Sequence, residues 1–280
     1  MRVQGSAEQL FRLLLNPEPR TLNPPMPETF LILLAGGIML AAAVSDPHQV
    51  TLHWLRLAGI LALSFAGLSL FFLLRRPEPA PTTALVATII TIIAILAQLA
   101  FAQLAFRRTQ QALAFFAFFY AVFIGHLYLR PTSDLGTFRT LISPWASALG
   151  ISAMSGLALM DMLLGHAYLT ASKMTIQPFR RLNTILAGAL FWRIAFAVGA
   201  VLIANSISPT YMLWGYHGLY ILTRWLVGLV IPAVFIYMAH DCIKRRSTQS
   251  ATGILYVTGV LIFIGEILAT HLVRATGLPF

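Results

Sequence analysis

Eight long apolar runs, separated by short polar or proline-containing breaks, constrain the fold of this chain more than any other feature. Each run is close to the 20 residues that a helix needs to cross the hydrocarbon core of a bilayer. A bilayer core admits only helices and closed barrels, and uninterrupted apolar runs of this length predict helices. The runs cover residues 29–45, 55–74, 83–106, 111–129, 143–170, 184–205, 219–240 and 251–273.

The composition agrees with this interpretation. The 280 residues are 58% hydrophobic and 10% charged, whereas soluble domains are about 25% charged. We therefore predict an all-α integral membrane protein, a polytopic bundle of about eight transmembrane helices with short loops. An extramembrane arm (residues 1–27) would precede an eight-helix domain (28–274) and a short C-terminal tail (275–280). Residues 7–15 of the arm fit either an interfacial amphipathic helix or a disordered tail.

The positive charge is distributed as in membrane proteins. The formal net charge of +10 comes from 19 Lys and Arg against 9 Asp and Glu, and the basic residues cluster in the breaks between the apolar runs. This pattern predicts contact with membrane lipid and no nucleic-acid partner. Cys242 is the single cysteine, which excludes an internal disulfide and a CxxC motif. The polar, proline-rich start predicts no secretory signal peptide, and we expect the bacterial cytoplasmic membrane.

Eight crossings would place both termini on one face of the membrane, which we call side A. In the C-terminal half of the chain the basic residues favour the opposite face, side B, as the cytoplasmic one, because short cytoplasmic loops are enriched in Lys and Arg. Six basic residues fall on side B against Arg274 on side A: Lys173, Arg180, Arg181, Lys244, Arg245 and Arg246.

Four ionisable residues lie well inside the apolar runs: Asp161, Arg193, Arg224 and Glu266. Each is costly at the centre of a bilayer unless it is paired. From the helical rise, Asp161 and Arg193 both lie roughly 13 Å from side B, and Arg224 and Glu266 roughly 8–10 Å from side A. We therefore predict two ion pairs, Asp161–Arg193 and Arg224–Glu266. These groups would either fix helix register or form a catalytic proton relay that meets a quinone carbonyl or a haem propionate.

The histidines form a second candidate site, because they gather near the two faces. His166 and His240 lie near side B, and His126, His217 and His271 near side A. Neutral imidazole is a suitable axial ligand for the iron of a b-type haem. The sequence thus predicts haem iron ligation, above all by His126, His166 and His240, or binding of another macrocycle. The alternative is that these histidines are ordinary interfacial residues.

Motifs for nucleotide hydrolysis, zinc proteolysis and α/β-hydrolase chemistry are missing from the sequence. We expect a membrane subunit of a respiratory or photosynthetic-type electron-transfer complex, handling a quinone, a b-type haem or both. Such a chain needs other subunits as partners and is at most the membrane part of an oxidoreductase. The alternatives are a secondary transporter or channel with buried charge pairs, and a purely structural subunit of a larger complex.

Overall fold

The structure is a computed structural model that describes residues 27–46, 49–76, 81–104, 106–130, 141–170, 175–207 and 218–280. Within these residues all regular secondary structure is helical, and all eight helices are long and apolar enough to cross a membrane. The predicted helix number and class are confirmed. The helices are α1 (Pro27–Val44), α2 (Leu52–Leu74), α3 (Thr82–Gln103), α4 (Arg107–Leu129), α5 (Ser143–Thr170), α6 (Gln177–Ile207), α7 (Gly218–Lys244) and α8 (Thr248–Thr276).

Local sequence signals set several helix ends. Thr51 caps the start of α2, where its side chain accepts a hydrogen bond from the main-chain N–H of Trp54 at 3.2 Å, as an N-cap threonine does. At the end of α8, Gly277 adopts a left-handed conformation (φ 69°), and its N–H donates to the carbonyl of Val273. Glycine accepts this conformation without steric cost, so the chain can turn back after α8.

The bundle has two halves around two central helices. α1 packs against α2, α4 and α5, and α5 packs against α1, α4, α6 and α8. Helices α2 and α3 complete the first half, and α6 to α8 complete the second. In an 18-residue apolar stretch of each helix, 72% of the residues are buried in α1 and in α5, against 28–50% in the other six helices.

The contact between α1 and α5 depends on small residues. Ser152 Oγ donates to the carbonyl of Leu33 at 2.7 Å. A methyl group added at Gly37 would lie 1.8 Å from the main-chain oxygen of Ser152, and one added at Gly156 would lie 1.9 Å from the main chain of Gly37. The two backbones therefore touch, and only glycine fits at their crossing.

α7 is interrupted in its first half. An α-helical segment (Gly218–Trp225) leads into a π-helical turn (Leu226–Val230), and the α-helix then resumes (Ile231–Lys244). Single π-turns in α-helices commonly occur at functional sites. Pro232 lies in the first turn of the resumed helix, where its missing N–H costs little.

Several predicted boundaries need correction, and two of them bear on the site. α6 begins at Gln177, seven residues before the predicted position of 184, because its first two turns carry polar residues that an apolar run does not register. α8 continues to Thr276, and the residues beyond it are buried, with Leu278 2% and Phe280 0% exposed. The candidate amphipathic segment 7–15 lies outside the described residues.

Candidate functional site

Glu266 and two arginines form a buried cluster, which we call the arginine–glutamate triad. Glu266 on α8 accepts hydrogen bonds from Arg193 on α6, with Nη2–Oε2 at 2.8 Å and Nε–Oε1 at 3.3 Å. Arg224 on α7 donates to the same carboxylate, with Nη2–Oε1 at 3.0 Å. All three side chains are 0% exposed. The triad therefore ties α6, α7 and α8 together at one depth.

The two guanidinium groups of the triad share one side-chain carboxylate. Arg193 Nη2 also donates to the main-chain oxygen of Phe280 at 2.9 Å. Among the described residues, three buried guanidinium nitrogens have no hydrogen-bond partner: Arg193 Nη1, Arg224 Nε and Arg224 Nη1. A buried N–H group without an acceptor is costly, so these donors favour a nearby electron-rich group.

Glycines make room for both arginines. A methyl group added at Gly150 on α5 would lie 2.4 Å from Arg193 Cδ. One added at Gly228 in the π-turn would lie 2.7 Å from Cα of Gly265 on α8, and one added at Gly265 would lie 2.4 Å from Cα of Gly228; each would also lie 2.9 Å from Arg224 Nη1. A side chain at Gly150 would therefore displace Arg193, whereas one at Gly228 or Gly265 would separate the backbones of α7 and α8 beside Arg224.

A second centre, which we call the polar chain, consists of Asp161, Asn183 and His240. It lies nearer the end of the bundle at which α6 begins. Asn183 on α6 donates from Nδ2 to Asp161 Oδ2 on α5 at 2.9 Å. The amide oxygen of Asn183 lies 3.2 Å from Nδ1 of His240 on α7. Asp161 and Asn183 are 0% exposed and His240 is half-buried. The chain thus links an interior carboxyl group to a residue near the end of the bundle.

The chemistry of the Asn183 amide decides which atoms of the polar chain donate hydrogen bonds and which accept them. The amide oxygen of Asn183 can only accept, so Nδ1 of His240 carries the proton of that bond. In neutral His240 the second ring nitrogen, Nε2, is therefore the acceptor that can exchange a proton. Asp161 Oδ1 is buried and has no hydrogen-bond partner among the described residues. The arrangement can hold a proton at Asp161 and another at His240, with Asn183 orienting both groups.

One predicted ion pair is wrong and the other is confirmed. Arg224 pairs with Glu266 as predicted, but Arg193 pairs with the same carboxylate and not with Asp161. Among the described residues no cation lies within 4 Å of Asp161. The cause is the early start of α6: Arg193 lies 16 residues into the helix, about 24 Å from its beginning, so Asn183 occupies the level of Asp161 instead.

The four predicted histidines that the structure describes have four different environments. His126 is buried; its Nε2 accepts from Arg130 Nε at 3.0 Å, and its ring stacks on Trp145 at 4.3 Å. His166 is exposed, with Nδ1 3.5 Å from Tyr256 Oη, and the ring of His271 lies 5.2 Å from that of Tyr220. His217 lies outside the described residues. Haem ligation by these residues stays a prediction, and the cavities of 430 and 190 Å³ are lined by no histidine.

Two further polar features were not predicted. Asn183 escaped notice because it immediately precedes the apolar run that begins at 184, although an amide near a buried carboxyl group is a common partner. Glu28 at the start of α1 is 3% exposed and pairs with Arg76 Nε at 3.0 Å. Arg76 also lies over the ring of Tyr128 at 5.5 Å. Through these contacts Arg76, at the end of α2, is joined to α1 and to α4. In the sequence, the only indication of this ion pair is that Glu28 and Arg76 lie at the edges of apolar runs.

No grouping of three or more His, Cys, Asp or Glu residues suited to a metal ion occurs in the described ranges. Comparisons with protein-family models, curated proteins and solved structures find no match to this chain. The functional argument therefore depends on the two polar centres and on the surface of the bundle.

Proposed function

We propose that this protein is an integral membrane protein that acts as the membrane subunit of an electron-transfer complex, in which Asp161 and His240 exchange the protons of quinone chemistry. The outer surface supports the membrane location. Large apolar side chains point away from the bundle on several helices, including Leu74 (66% exposed), Phe191 (75%) and Tyr237 (76%). Such a surface is stable in lipid and would aggregate in water.

The observation that carries the proposal is the hydrogen-bonded series Asp161–Asn183–His240. Ionisable groups buried in membrane helices commonly mark proton paths. Reduction of a quinone to a quinol takes up two electrons and two protons. The electrons would come from a redox-active partner subunit, such as an iron–sulfur or haem protein. His240 and Asp161 would each exchange a proton of its own, and the amide of Asn183 would orient the two groups. Oxidation of a quinol would reverse both movements.

A haem, if bound, would supply one-electron transfer between the quinone and the partner subunit. Among the candidate histidines that the structure describes, His166 is the exposed one. The proposed proton transfer does not require this group, because a quinone accepts electrons directly from a partner.

Replacing Asp161 tests the proposal. In purified protein supplied with a short-chain quinone, chemical reduction with dithionite should change the infrared carbonyl band of a protonated carboxyl group. Asp161→Asn should abolish this change, since the amide keeps the shape of the side chain but cannot exchange the proton. Asp241→Asn, at an exposed carboxylate near the end of α7, is the matched control, and in this variant reduction should still change the band. A band that persists in Asp161→Asn would contradict the proposal.

The interruption of α7 favours a second function, a secondary transporter or channel. Broken helices near mid-membrane form ion and substrate sites in many transporters, and the π-turn of α7 directly follows Arg224 and Trp225. Proteoliposomes distinguish the two functions. A substrate-dependent proton flux that is insensitive to redox mediators would favour transport over electron transfer.

A further inference from the structure

The first four helices form a ring, because α1 packs against α2, α2 against α3, α3 against α4 and α4 against α1. The buried face of α3 consists mostly of alanine and threonine and contains a single glutamine, Gln98. Alanines lie one turn before and one turn after it, at Ala94 and Ala102. Small residues of this kind allow helices to pack closely, so the long polar side chain of Gln98 is the exception on this face.

Gln98 on α3 and Gln110 on α4 lie at nearly the same depth near side B. Gln98 is five residues before the end of α3 and Gln110 is three residues after the start of α4, so their depths differ by about 3 Å. Both side chains are 0% exposed. A methyl group added at Gly59 on α2 would lie 2.9 Å from Gln98 Oε1. Gln111 donates to the main-chain oxygen of Ala43 on α1 at 3.3 Å, which leaves its neighbour Gln110 on the inner side of α4.

The two carboxamide groups are unpartnered. Among the described residues, neither Nε2 nor Oε1 of Gln98 or Gln110 has a hydrogen-bond partner, and the same is true of Nη1 of Arg107. Arg107 lies three residues before Gln110, so the two side chains are neighbours on α4. The Arg107 side chain is partly exposed at the end of the helix, although its Nη1 is buried. Buried polar atoms without partners are costly, and five of them at one end of the ring indicate a polar occupant.

The hydrogen-bonding capacity of these groups selects water as the occupant. Each carboxamide offers two N–H donors and one oxygen that accepts. A direct contact between the two glutamines would satisfy one N–H of each, and it would leave the second N–H of each and Nη1 of Arg107 without an acceptor. A water molecule both donates and accepts, and buried waters typically bond to about three otherwise unsatisfied polar groups.

We propose that Gln98, Gln110 and Arg107 hold a cluster of ordered water molecules inside the α1–α4 ring. Arg107 lies at the entrance on side B, where its partly exposed side chain connects the cluster to the aqueous phase. The water bridges α3 to α4 and satisfies both amides in a part of the ring that otherwise depends on the packing of small residues. This site is separate from the polar chain and does not depend on the proposed electron-transfer function.

Water-edited solid-state NMR of the protein in liposomes tests the proposal. The experiment follows transfer of magnetisation from water to isotope-labelled glutamine side-chain amides and to main-chain N–H groups. Gln98→Met and Gln110→Met each remove one signal and thereby assign it. Exposed Gln249 is the hydrated control. The dry controls are the main-chain N–H groups of Ala239 and Ala251, which are 0% exposed and lie five residues before the end of α7 and three after the start of α8, at the depths of the two glutamines.

We expect transfer to both buried amides to be as fast as transfer to Gln249 and several times faster than transfer to Ala239 and Ala251. In Gln110→Met, transfer to Gln98 should slow several-fold, because the shared water loses a partner. Gln103→Met, at an exposed glutamine on the same helix, is the matched control and should leave transfer to Gln98 unchanged.

Two outcomes would overturn the proposal. Transfer to Gln98 and Gln110 that is as slow as transfer to the dry controls would mean that the amides bond directly to protein groups. Transfer to Gln98 that is unaffected by Gln110→Met would mean that the two glutamines share no water.

Discussion

Glu266 is the only Asp or Glu side chain within 4 Å of Arg193 or Arg224 among the described residues. A buried ion cluster is not by itself a source of stability, because desolvation of the charges offsets their attraction. Removing one member is different, since it leaves the others buried and uncompensated. The packing of α6, α7 and α8 therefore depends on the carboxylate of Glu266.

Replacing that carboxylate should be strongly destabilising. We expect Glu266→Gln to lower the free energy of unfolding by about 3–5 kcal/mol, because two buried guanidinium groups lose their counter-charge. Unfolding in mixed detergent micelles measures the change.

The matched control for this substitution is the ion pair Asp241–Arg245, whose side chains are 49% and 76% exposed. Asp241→Asn should cost less than about 1 kcal/mol, as exposed ion pairs contribute little. Similar losses in the two variants would contradict the assigned importance of the triad.

The residues of the candidate site were predictable to a large degree, but their partners were not. Intramembrane charge alone identified Asp161, Arg193, Arg224 and Glu266, and the depth estimate paired Arg224 with Glu266 correctly. A depth estimate gives the position of a residue along its helix but not the direction in which its side chain points. It also pairs each acid with one base, whereas Glu266 binds two arginines. Asn183 was missed for a related reason: an uncharged amide gives no signal in a search for charge.

At the scale of the helix, small residues decide which elements touch. α1 and α5 approach until the main chains of Gly37, Ser152 and Gly156 are in contact. Because a membrane offers little hydrophobic force between helices, such close packing is a main source of association in lipid. The two halves of the bundle are joined largely by this crossing.

A methyl group at the crossing should weaken it. We expect Gly37→Ala to destabilise the protein by about 1–3 kcal/mol, because a side chain cannot enter without separating the backbones. Gly67→Ala is the control: Gly67 on α2 has open space around it, and the substitution should be neutral or stabilising by up to about 1 kcal/mol through helix propensity. Thermal unfolding in one detergent compares the two variants, and equal behaviour would show that the crossing tolerates expansion.

Helix existence was easier to predict than helix ends. All eight apolar runs became helices, because each run has the length and composition of a crossing. The starts of α4 and α6 lie four and seven residues earlier than predicted. The added first turns contain four arginines. Arginine is compatible with a helix end at a membrane surface, because its long side chain can reach the polar layer. These residues are Arg107, Arg108, Arg180 and Arg181. The seven-residue error in α6 corresponds to about 10 Å along the helix, enough to pair Arg193 with the wrong acid.

At the scale of the whole molecule, the two polar centres lie toward opposite ends of the bundle. The triad lies in the half nearer the end of α8, and the polar chain in the half nearer the start of α6. α5, α6 and α8 have 28, 31 and 29 residues, more than the roughly 20 that a crossing needs. In a bilayer these helices would tilt or extend into the interfacial layers.

The distribution of basic residues predicts how the bundle is oriented. The loop between α7 and α8, with Lys244, Arg245 and Arg246, should face the cytoplasm. In a Cys242→Ser background, Ser247→Cys places one exposed thiol in this loop and Ala275→Cys places one at the opposite end. A membrane-impermeant maleimide added to intact cells should label the cysteine at 275 and reach the one at 247 only after permeabilisation. The reverse pattern would invert the orientation.

The π-turn of α7 has a consequence for how one helix serves both centres. Arg224 precedes the turn and meets α8, whereas His240 follows it and meets α6. A π-turn accommodates one residue more than an α-turn, so the segment after it is rotated by about 100° relative to an uninterrupted helix. This phase shift lets α7 present two side chains to two different neighbours. Deletion of a single residue between 226 and 230 would rotate Arg224 or His240 away from its partner. Both centres therefore depend on the number of residues in the π-turn as well as on the side chains of α7.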